Sequence, residues 1–346
     1  MNAQPIRLLI QTLTIGLLAL SVSGVSAGDM AGAAPAVLDA RNVTLEVRAV
    51  DKTMSDGEKV RFWLFCPKNG DSMGDCTLPG PVLQLGVGQK ASITLNINDM
   101  TPQEAVPYDG HTIHPHGLDV PQLEDGVPET GAPVDGDNYA FTVDSRYVGG
   151  HMYHCHQHTV KHLEMGMYGA FVVKAVDANG NLLNVINQGG PAYDYEWNWV
   201  LSAVDPAYHA DTAVGDSTVF ADYNPKYFLV NGKEGLSKSA PAETLTAALG
   251  KKVAIRLTGL HSVNSVFKIL DADGKAKSFT VHNLDGFKLP TPKTVTSLEV
   301  APGQTKDVLV SLPTSGAGPW YPQVSYTDLR KSQTYRNGTV YARIDF

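Results

Sequence analysis

Short runs of β-branched and aromatic residues recur along the whole chain, and Gly, Pro, Asn or Asp bounds each of them. Glycine and proline are frequent, with 33 and 21 copies, whereas charged residues make up only 18% of the sequence. Such runs are typical of the antiparallel strands of β-sandwiches, so the pattern predicts an all-β protein. Helical spacing is confined to residues 240–248 and the segment after Cys155, where we expect short helices. The expected strands are 43–50, 61–65, 82–85, 91–97, 139–143, 151–154, 170–174, 197–202, 227–230, 252–257, 265–270, 277–281, 307–312, 320–325 and 340–344.

Residues 1–27 have the pattern of a cleaved secretory signal. A weakly basic start with Arg7 precedes an apolar run, 8–20, and small residues follow at 25–27. The apolar run is too short to span a bilayer, which separates a signal peptide from a membrane anchor. We therefore expect a periplasmic or secreted protein with no membrane span once the signal is removed.

The charge balance argues against several classes of protein. The sequence has 35 acidic and 27 basic residues, a formal net charge of -8. An acidic chain is a poor ligand for nucleic acid or for anionic lipid, because both repel it. Hydrophobic residues make up 43% of the chain, which is enough to bury a core and excludes a disordered protein.

The sequence also contains an internal repeat. Residues 88–95 (GQKASITL) read like residues 250–257 (GKKVAIRL), and two later matches recur at a similar spacing of roughly 165 residues. A nearly constant spacing predicts two copies of one sandwich, with the boundary in the Gly-, Asn- and Pro-rich stretch 177–191. We expect the domains to cover 28–180 and 190–346.

The histidines are concentrated in the first copy, which holds eight of the 11. Two clusters stand out: HTIHPHG at 111–117, and HCH at 154–156 followed by further histidines and Met167. On an extended segment, residues two apart share a face, so His154 and His156 point one way and Cys155 the other. This predicts two metal sites back to back, with one strand contributing to both. One thiolate, two imidazoles and a thioether form the ligand set of a blue-copper electron-transfer centre.

Two other interpretations of this cluster are a set of metal-free histidines and a zinc site. A single histidine is usually a surface or core residue without a metal, but eight of them around one cysteine are poorly explained that way. Zinc also binds cysteine and histidine, yet its structural sites usually bring paired thiolates, and this cluster offers one. The residues favour copper.

At these residues the chain resembles the first domain of multicopper oxidases, over about 43–174. The matching pieces are PGP at 79–81, HTIHPHGLDV at 111–120, DGVP at 125–128, and HMYHCHQHTVKHLEMGMYGAFVV at 151–173. The resemblance implies an all-β architecture of two cupredoxin-like Greek-key β-sandwich domains in tandem. It also implies a ligand set. Type 1 copper would be bound by His111, Cys155, a later histidine and an axial Met167; His114 would bind type 2 copper, and His116, His154 and His156 the type 3 pair.

One departure from the family concerns the later type 1 histidine. In the family it usually lies five residues after the cysteine, but that position is Val160 here. We prefer His162 to His158, because His162 keeps the family's spacing to Met167. The loop from the cysteine is then longer than usual, as it also is in the two-domain copper nitrite reductases.

A second departure concerns the partner half of the other copper site. The family's three-copper cluster takes two sets of four histidines, and the first copy supplies one set. In the second copy the positions matching the HCH motif are Pro322, Gln323 and Val324. Three alternatives remain open at this point: another first-domain copy completes the cluster, another polypeptide does, or the site is smaller and takes a neighbour's His261 or His282.

Three further features carry more modest expectations. Cys66 and Cys76 flank a Gly- and Asp-rich loop, and we expect them to form a disulfide that leaves Cys155 as the metal-binding thiol. Asp119, with Glu124 and Asp125, could relay protons or could hold loops through local hydrogen bonds. Glu164 beside His162 could mark the docking site of an electron donor, or could simply be solvated.

Together these features predict an exported copper oxidoreductase of the multicopper oxidase type. A small-molecule or protein donor would pass electrons through His162 to the type 1 site. Electrons would continue through Cys155, His154 and His156 to the second site, where oxygen is reduced, with Asp119 as a further catalytic candidate. The alternatives are a nitrite-reductase-like enzyme with one type 2 copper and a non-enzymatic electron carrier. We expect the second copy to be structural, to pack against the first, and to help build a homo-oligomer, for example a trimer.

Overall fold

The computed structural model describes residues 35–69, 72–96, 110–131, 138–210, 223–316 and 318–346. The expected signal peptide at 1–27 lies outside the described residues. Within the described part of the chain, no helix has both the length and the apolar character needed to cross a membrane. The prediction of an all-β protein is confirmed, because strands dominate and both α-helices are short.

The elements divide into two sets along the chain. The first set is β1 Val37–Asp39, β2 Val43–Thr53, β3 Lys59–Asn69, β4 Ser72–Met73, β5 Val82–Gly86, β6 Ile93–Asn96, β7 His114–His116, β8 Asn138–Tyr139, β9 Gly149–His154, α1 Thr159–Glu164 and β10 Tyr168–Lys174. The second set is β11 Tyr195–Val204, α2 Pro206–Ala210, β12 Tyr227–Val230, β13 Thr244–Thr246, β14 Lys252–Gly259, β15 Asn264–Leu270, β16 Phe279–Leu284, β17 Phe287–Val295, β18 Leu298–Val300, β19 Thr305–Ser311, β20 Tyr321–Asp328, β21 Gln333–Tyr341 and β22 Arg343–Asp345. Single 3₁₀ turns lie at Gln122–Glu124, Pro128–Thr130 and Ser145–Tyr147.

Each set forms its own sheets, and in the described residues no strand pairs across the two sets. The first set forms two five-stranded sheets, β1-β5-β10-β9-β7 and β4-β3-β2-β6-β8. The second forms sheets ordered β12-β11-β14-β19-β16-β17 and β18-β15-β20-β21, with β13 and β22 as a separate pair. The expected boundary stretch, 177–191, lies between β10 and β11, while the domain bounds 28–180 and 190–346 stay a prediction.

The sequence pattern is typical of antiparallel strands, but the sheets are mixed. β5 pairs in parallel with β1 and β10, β2 with β6, and β11 with β14. Parallel neighbours require the chain to cross between sheets before it returns, and residue composition alone carries no signal for such a crossover.

Local structure also differs from the sequence prediction at several other places. Residues 240–248 are not helical but contain β13, since Thr244 and Thr246 are β-branched and pair with β22. Helix α2 was missed, although the Asp205 carboxylate accepts a hydrogen bond from the Ala207 amide and Pro206 starts the helix, as a helix start requires. The edge strand β17 was missed because most of it is exposed and it shows no apolar alternation. The short helix after Cys155 is confirmed as α1.

Each domain has its own apolar core, and a third core joins the two. In β2, Val43, Leu45 and Val47 alternate inward, as expected for a strand with one face on a core. The third core lies between the domains: Phe62 and Met152 of the first pack with Val200 and others of the second. The second domain therefore packs against the first as expected, and it does so over the outer face of the sheet that carries β9.

A buried charged network lies beside this interdomain core. The Asp307 carboxylate accepts hydrogen bonds from the Arg256 guanidinium at 2.7 Å, the Asn283 amide at 2.6 Å and the Gly150 amide of β9 at 2.9 Å. Arg256 also donates to Glu196 at 2.8 Å. Burial alone would raise the pKa of Glu196, but the cations Arg256 and Lys174 outweigh it and lower that pKa to about 2. The network ties the second domain to the backbone of the strand that leads to Cys155.

Candidate metal centres

The first candidate centre is formed by His111, Cys155 and His162. Their ligating atoms all lie within 4.8 Å of one another, and all three residues are buried. The Cys155 Sγ atom is 3.1 Å from the His162 Nδ1 atom, and the rings of His111 and His162 have centroids 5.1 Å apart. The sequence prediction placed these three residues in one type 1 site, and the fold brings them together.

Thr112 links the two motif segments. Its backbone amide points at the Cys155 Sγ atom from 3.4 Å, and its hydroxyl accepts a hydrogen bond from the His156 amide at 2.9 Å. A hydrogen bond to a thiolate lowers the charge on sulfur and fixes its position. Sequence reasoning missed this role, although Thr112 stands between histidines in the first motif and that position was a possible signal.

Met167 is fully buried next to the same segment. Its backbone carbonyl accepts from the Cys155 amide at 3.0 Å, and its own amide donates to the His162 carbonyl at 3.0 Å. The loop between the cysteine and the methionine is thus closed onto itself by backbone hydrogen bonds. Its place as the axial ligand stays a prediction.

The choice of His162 over His158 is favoured by the geometry. His162 lies on α1 and belongs to the group of ligating atoms, whereas the His158 ring lies behind it, with centroids 6.1 Å apart. His158 also adopts a left-handed backbone, with φ of 40°, at the turn that starts α1. The longer loop is therefore accommodated by the short helix.

We expect His162→Ala to bleach the visible colour of the copper-loaded protein and His158→Ala to leave it. His162 is the residue whose nitrogen faces the cysteine sulfur, so only its loss removes a ligand. The measurement is the visible absorption spectrum of both variants, loaded with one equivalent of copper. Bleaching by His158→Ala alone would show that the ligand assignment is wrong.

The second candidate centre is formed by His114, His116 and His154, whose ligating atoms also lie within 4.8 Å of one another. The His116 Nδ1 and His154 Nε2 atoms are 3.2 Å apart. His156 lies at the edge of this group, with its ring centroid 5.1 Å from that of His114 and 5.9 Å from that of His154. All four histidines assigned to the second site are thus adjacent to one another, and Cys155 belongs to the other group of ligating atoms.

Two of these rings are held so that one nitrogen is available to a metal. The His114 Nδ1 atom donates to the Asp125 carbonyl at 2.6 Å, and the His154 Nδ1 atom donates to the Cys155 carbonyl at 2.8 Å. A carbonyl can only accept, so each Nδ1 must carry the proton in the neutral ring. The Nε2 lone pair of each is left for coordination, as in most metal-binding histidines.

Burial keeps these imidazoles neutral. Desolvation lowers the pKa of His154 and that of His162 to about 3 each, and it also lowers the pKa of His114 and that of His116. Metal ligation needs the neutral form, which the lowered pKa values favour.

The three carboxylates of the 111–128 segment that the sequence singled out differ in their distance from the metal centres. Asp119 is on the surface, with 75% of its side chain exposed, and it pairs with Arg146 at 3.5 Å. Among the described residues it belongs to neither centre, so its catalytic role stays a prediction without a contact to support it. Asp125 is the carboxylate that contacts the site, 3.3 Å from the His114 Nδ1 atom. Glu124 holds a loop instead, by accepting from the Ala140 amide at 2.6 Å.

Glu164 lies where neither sequence interpretation placed it. Only 3% of its side chain is exposed, so it is neither solvated nor available at the surface for an electron donor. It accepts a hydrogen bond from Tyr223 of the second domain at 3.0 Å. The two interpretations failed because the residues that cover Glu164 come from a distant part of the sequence.

The histidines of the second domain are enclosed. His261 exposes 5% of its surface, and its Nε2 atom is 3.2 Å from the Ser265 hydroxyl. His282 lies in β16 and exposes 7%. A ligand offered to another chain must present its ring at the surface, so the alternative in which a neighbour's His261 or His282 completes the site is disfavoured.

His151 is a further histidine that sequence reasoning gave no role. It is buried, and its Nε2 atom donates to the Tyr147 carbonyl at 2.7 Å. The ring fills the space beside Gly286 of the second domain, where a Cβ would lie 2.0 Å from it. The second domain therefore also contacts the strand that carries the second centre.

The donor set fits copper better than zinc. The first centre offers one thiolate and two imidazoles in a buried position, which is the equatorial set of a blue-copper site. Structural zinc sites usually bring paired thiolates, but the other cysteines, Cys66 and Cys76, form the disulfide that the sequence predicted. Fold and site together define a copper-binding oxidoreductase of the blue-copper class.

Comparison with protein families agrees with that class. Two models described as multicopper oxidase match the chain, one at residues 73–178 and the other at 204–344. The chain therefore belongs to the multicopper oxidase family. It is a copper oxidase, with type 1 and type 2/3 copper sites as its family implies. No curated protein sequence matches the chain.

Solved structures share the fold at low sequence identity. The blue copper oxidase from Nitrosomonas europaea is 18% identical with a TM-score of 0.63, and the match covers 87% of this chain and 84% of that one. A multi-copper oxidase from Pseudomonas Thermotolerans is 19% identical with a TM-score of 0.61, covering 90% and 64%. McoA from Aquifex aeolicus is 18% identical with a TM-score of 0.63, covering 92% and 65%. The chain thus spans less than two thirds of the length of the Pseudomonas and Aquifex proteins. Two cupredoxin-like domains in tandem are confirmed.

Proposed function

We propose that this copper oxidase accepts single electrons from an external small-molecule or protein donor at the His111–Cys155–His162 centre and uses them at the second centre to reduce oxygen. Copper supplies one-electron exchange at the first centre and oxygen reduction at the second. The observation that supports the proposal is the position of Cys155: of its two neighbours in sequence, His154 belongs to the other centre and His156 lies at the edge of that centre.

The chain's own residues make that connection short and rigid. One peptide bond separates Cys155 from each neighbouring histidine, and the His154 Nδ1 atom donates to the Cys155 carbonyl at 2.8 Å. The strand β9 that leads into this segment is buried along its whole length. Fixed positions favour electron transfer between two metals, because little reorganisation is needed at either end.

The two centres differ in their access to solvent. The ligands of the first are fully buried, whereas 16% of the His114 side chain and 31% of the His156 side chain are exposed. A small molecule can reach the second centre from this side, as an oxygen-reducing site requires. Of the carboxylates near the opening, Glu129 is 3.8 Å from the His156 Nδ1 atom.

We also propose that another chain completes the second centre. Four imidazoles are half of what the family's three-copper cluster takes, and the exposed edge of the group is where further ligands can be added. Pairing of identical half-sites is self-complementary and needs a two-fold axis. A dimer, or a hexamer made of two trimers, provides that axis, whereas a trimer alone does not. With a second copy of this chain as the completing chain, we propose a homo-oligomer of even number; a different polypeptide as the completing chain is the alternative.

Oxidase activity should therefore depend on assembly. On dilution into monomers we expect oxygen consumption to fall at least about tenfold while the type 1 colour survives, because the first centre lies within one chain. The measurement is oxygen uptake across a dilution series, with mass followed by light scattering. A fully active monomer with its whole copper complement would contradict the proposal.

A nitrite-reductase-like activity is the second candidate. Three of the four histidines, His114, His116 and His154, form the tight group, and three imidazoles suit a single copper with an open position. The same dilution series, with nitrite in place of oxygen as the electron acceptor, separates the two candidates. Nitrite reduction would favour the nitrite-reductase-like enzyme, and oxygen consumption alone would favour the oxidase.

We further propose that the protein is exported to the periplasm or secreted. The disulfide between Cys66 and Cys76 supports this, since such bonds persist in oxidising compartments. Cell fractionation of the full-length chain tests it: recovery of the mature protein in the cytoplasmic fraction would contradict export.

A further inference from the structure

The helix that carries His162 is held by the second domain through two buried charges. Lys161 and Glu164 lie three residues apart on α1, and both contact the segment around α2. The Lys161 ammonium donates to the Tyr208 carbonyl at 2.9 Å and lies over the Tyr208 ring at 4.5 Å. Residues three apart on a helix share a face, so the face of α1 that carries Lys161 and Glu164 contacts the second domain.

Glu164 is the more closely held of the two. Its carboxylate oxygens lie 3.0 and 3.1 Å from the Tyr223 hydroxyl, and one of them accepts from the Asp205 amide at 3.3 Å. The His209 Nε2 atom is 3.8 Å away, and the other nitrogen of that ring donates to the Arg61 carbonyl of the first domain at 2.6 Å. A buried carboxylate without donors is costly, so the donors of the second domain determine where the end of α1 can lie.

The same short helix determines the geometry of the first centre. The segment from Cys155 to Met167 contains α1, and backbone hydrogen bonds close it at both ends. The separation of 3.1 Å between Cys155 Sγ and His162 Nδ1 therefore depends on where α1 sits. The Trp63 amide also binds this segment, at the Met165 carbonyl, from 2.8 Å.

We propose that Glu164 and Tyr223 are positioning residues for the first centre: the second domain, which carries no copper motif, holds His162 against Cys155 through them. The second domain then has a role in the chemistry of the blue-copper site besides its role in packing. The proposal rests on the assignment of His162 and Cys155 as ligands only for its copper-loaded readout.

Tyr223→Phe tests the proposal without changing the first domain. It removes one hydroxyl, keeps the ring, and leaves Glu164 short of a donor. Tyr227→Phe is a matched control, since Tyr227 is also a buried second-domain tyrosine and its hydroxyl also binds first-domain carboxylates, at 2.8 Å from Asp56 and 2.7 Å from Glu58. Those carboxylates precede β3 and are not part of α1.

The first readout uses metal-free protein and the single cysteine outside the disulfide. We expect the Cys155 thiol to react with an aromatic disulfide reagent about tenfold faster in Tyr223→Phe and in Glu164→Gln than in the parent, because opening of α1 exposes the sulfur. Tyr227→Phe should react at the parent rate. Parent-like rates in both test variants would overturn the proposal, and so would an equal acceleration in Tyr227→Phe, which would show general loosening of the interface.

The second readout uses copper-loaded protein. We expect the reduction potential and the visible band of the first centre to shift in Tyr223→Phe and Glu164→Gln and to stay in place in Tyr227→Phe, since the ligand geometry tunes both. Accelerated thiol reaction without a colour in any variant would instead refute the copper assignment and leave the positioning role intact. An unshifted potential together with an unchanged thiol rate would refute the positioning role alone.

Discussion

Cys155→Ser is expected to abolish the intense visible band of the copper-loaded protein and to lower oxidase activity at least about a hundredfold. Loss of groups that merely support a metal ligand already costs about 10- to 100-fold, and this change removes the ligand itself. The band arises from the thiolate–copper bond, which an alcohol oxygen does not form at neutral pH. The visible and spin-resonance spectra of the purified variant provide the measurement.

The fold should survive this substitution. Serine is close in size to cysteine, and the buried position offers hydrogen-bond partners, since the Gln157 carbonyl and the His162 Nδ1 atom both lie near the sulfur. The double variant Cys66→Ser/Cys76→Ser is the matched control: it removes the disulfide, should lower stability by about 2–4 kcal/mol, and should keep the colour. Persistence of the intense band in Cys155→Ser would show that Cys155 is not the copper ligand that gives rise to the band.

Asp307→Asn is expected to lower the free energy of unfolding by about 3–5 kcal/mol, the usual cost of removing one member of a buried ion pair. The side chains of Arg256 and Asp307 expose only 2% and 1% of their surface, so the remaining guanidinium charge would stay buried and partly uncompensated. The same carboxylate binds the Gly150 amide at the start of β9. Urea denaturation followed by fluorescence measures the loss.

An exposed pair of the same chemistry gives the comparison for this prediction. Arg343 and Asp345 form an ion pair with each side chain 37% exposed, and Asp345→Asn should cost far less than Asp307→Asn, since solvent screens exposed pairs. Equal losses from the two substitutions would contradict the account of the interdomain network.

The metal centres could be predicted from the sequence because part of their geometry is local and the rest is marked by motifs of the multicopper oxidase family. Alternation along an extended segment places Cys155 on one face and its two histidine neighbours on the other, and this requires only the spacing of residues. The structure also brings His111 and His162 to the cysteine and His114 and His116 to His154, as the family resemblance implied. The all-β class is likewise a property of short segments.

Features that depend on distant parts of the chain and that no family motif marks could not be predicted. Glu164 looks like a surface charge beside a ligand until Tyr223 and Asp205, from the other domain, are placed over it. His261 looks like a possible ligand for a neighbour until the fold encloses it beside Ser265. In both cases the missing information is burial by non-local contacts, which a single sequence does not contain.

The central claim is that each chain holds a type 1 copper and half of a second copper site that another chain completes. Copper analysis of the purified assembly, combined with spin-resonance spectra of the same sample and its mass from light scattering, tests this most directly. We expect one type 1 signal per chain, together with additional copper that is lost when the assembly dissociates. A single copper per chain, all of it type 1 and independent of assembly, would contradict the claim and indicate an electron carrier.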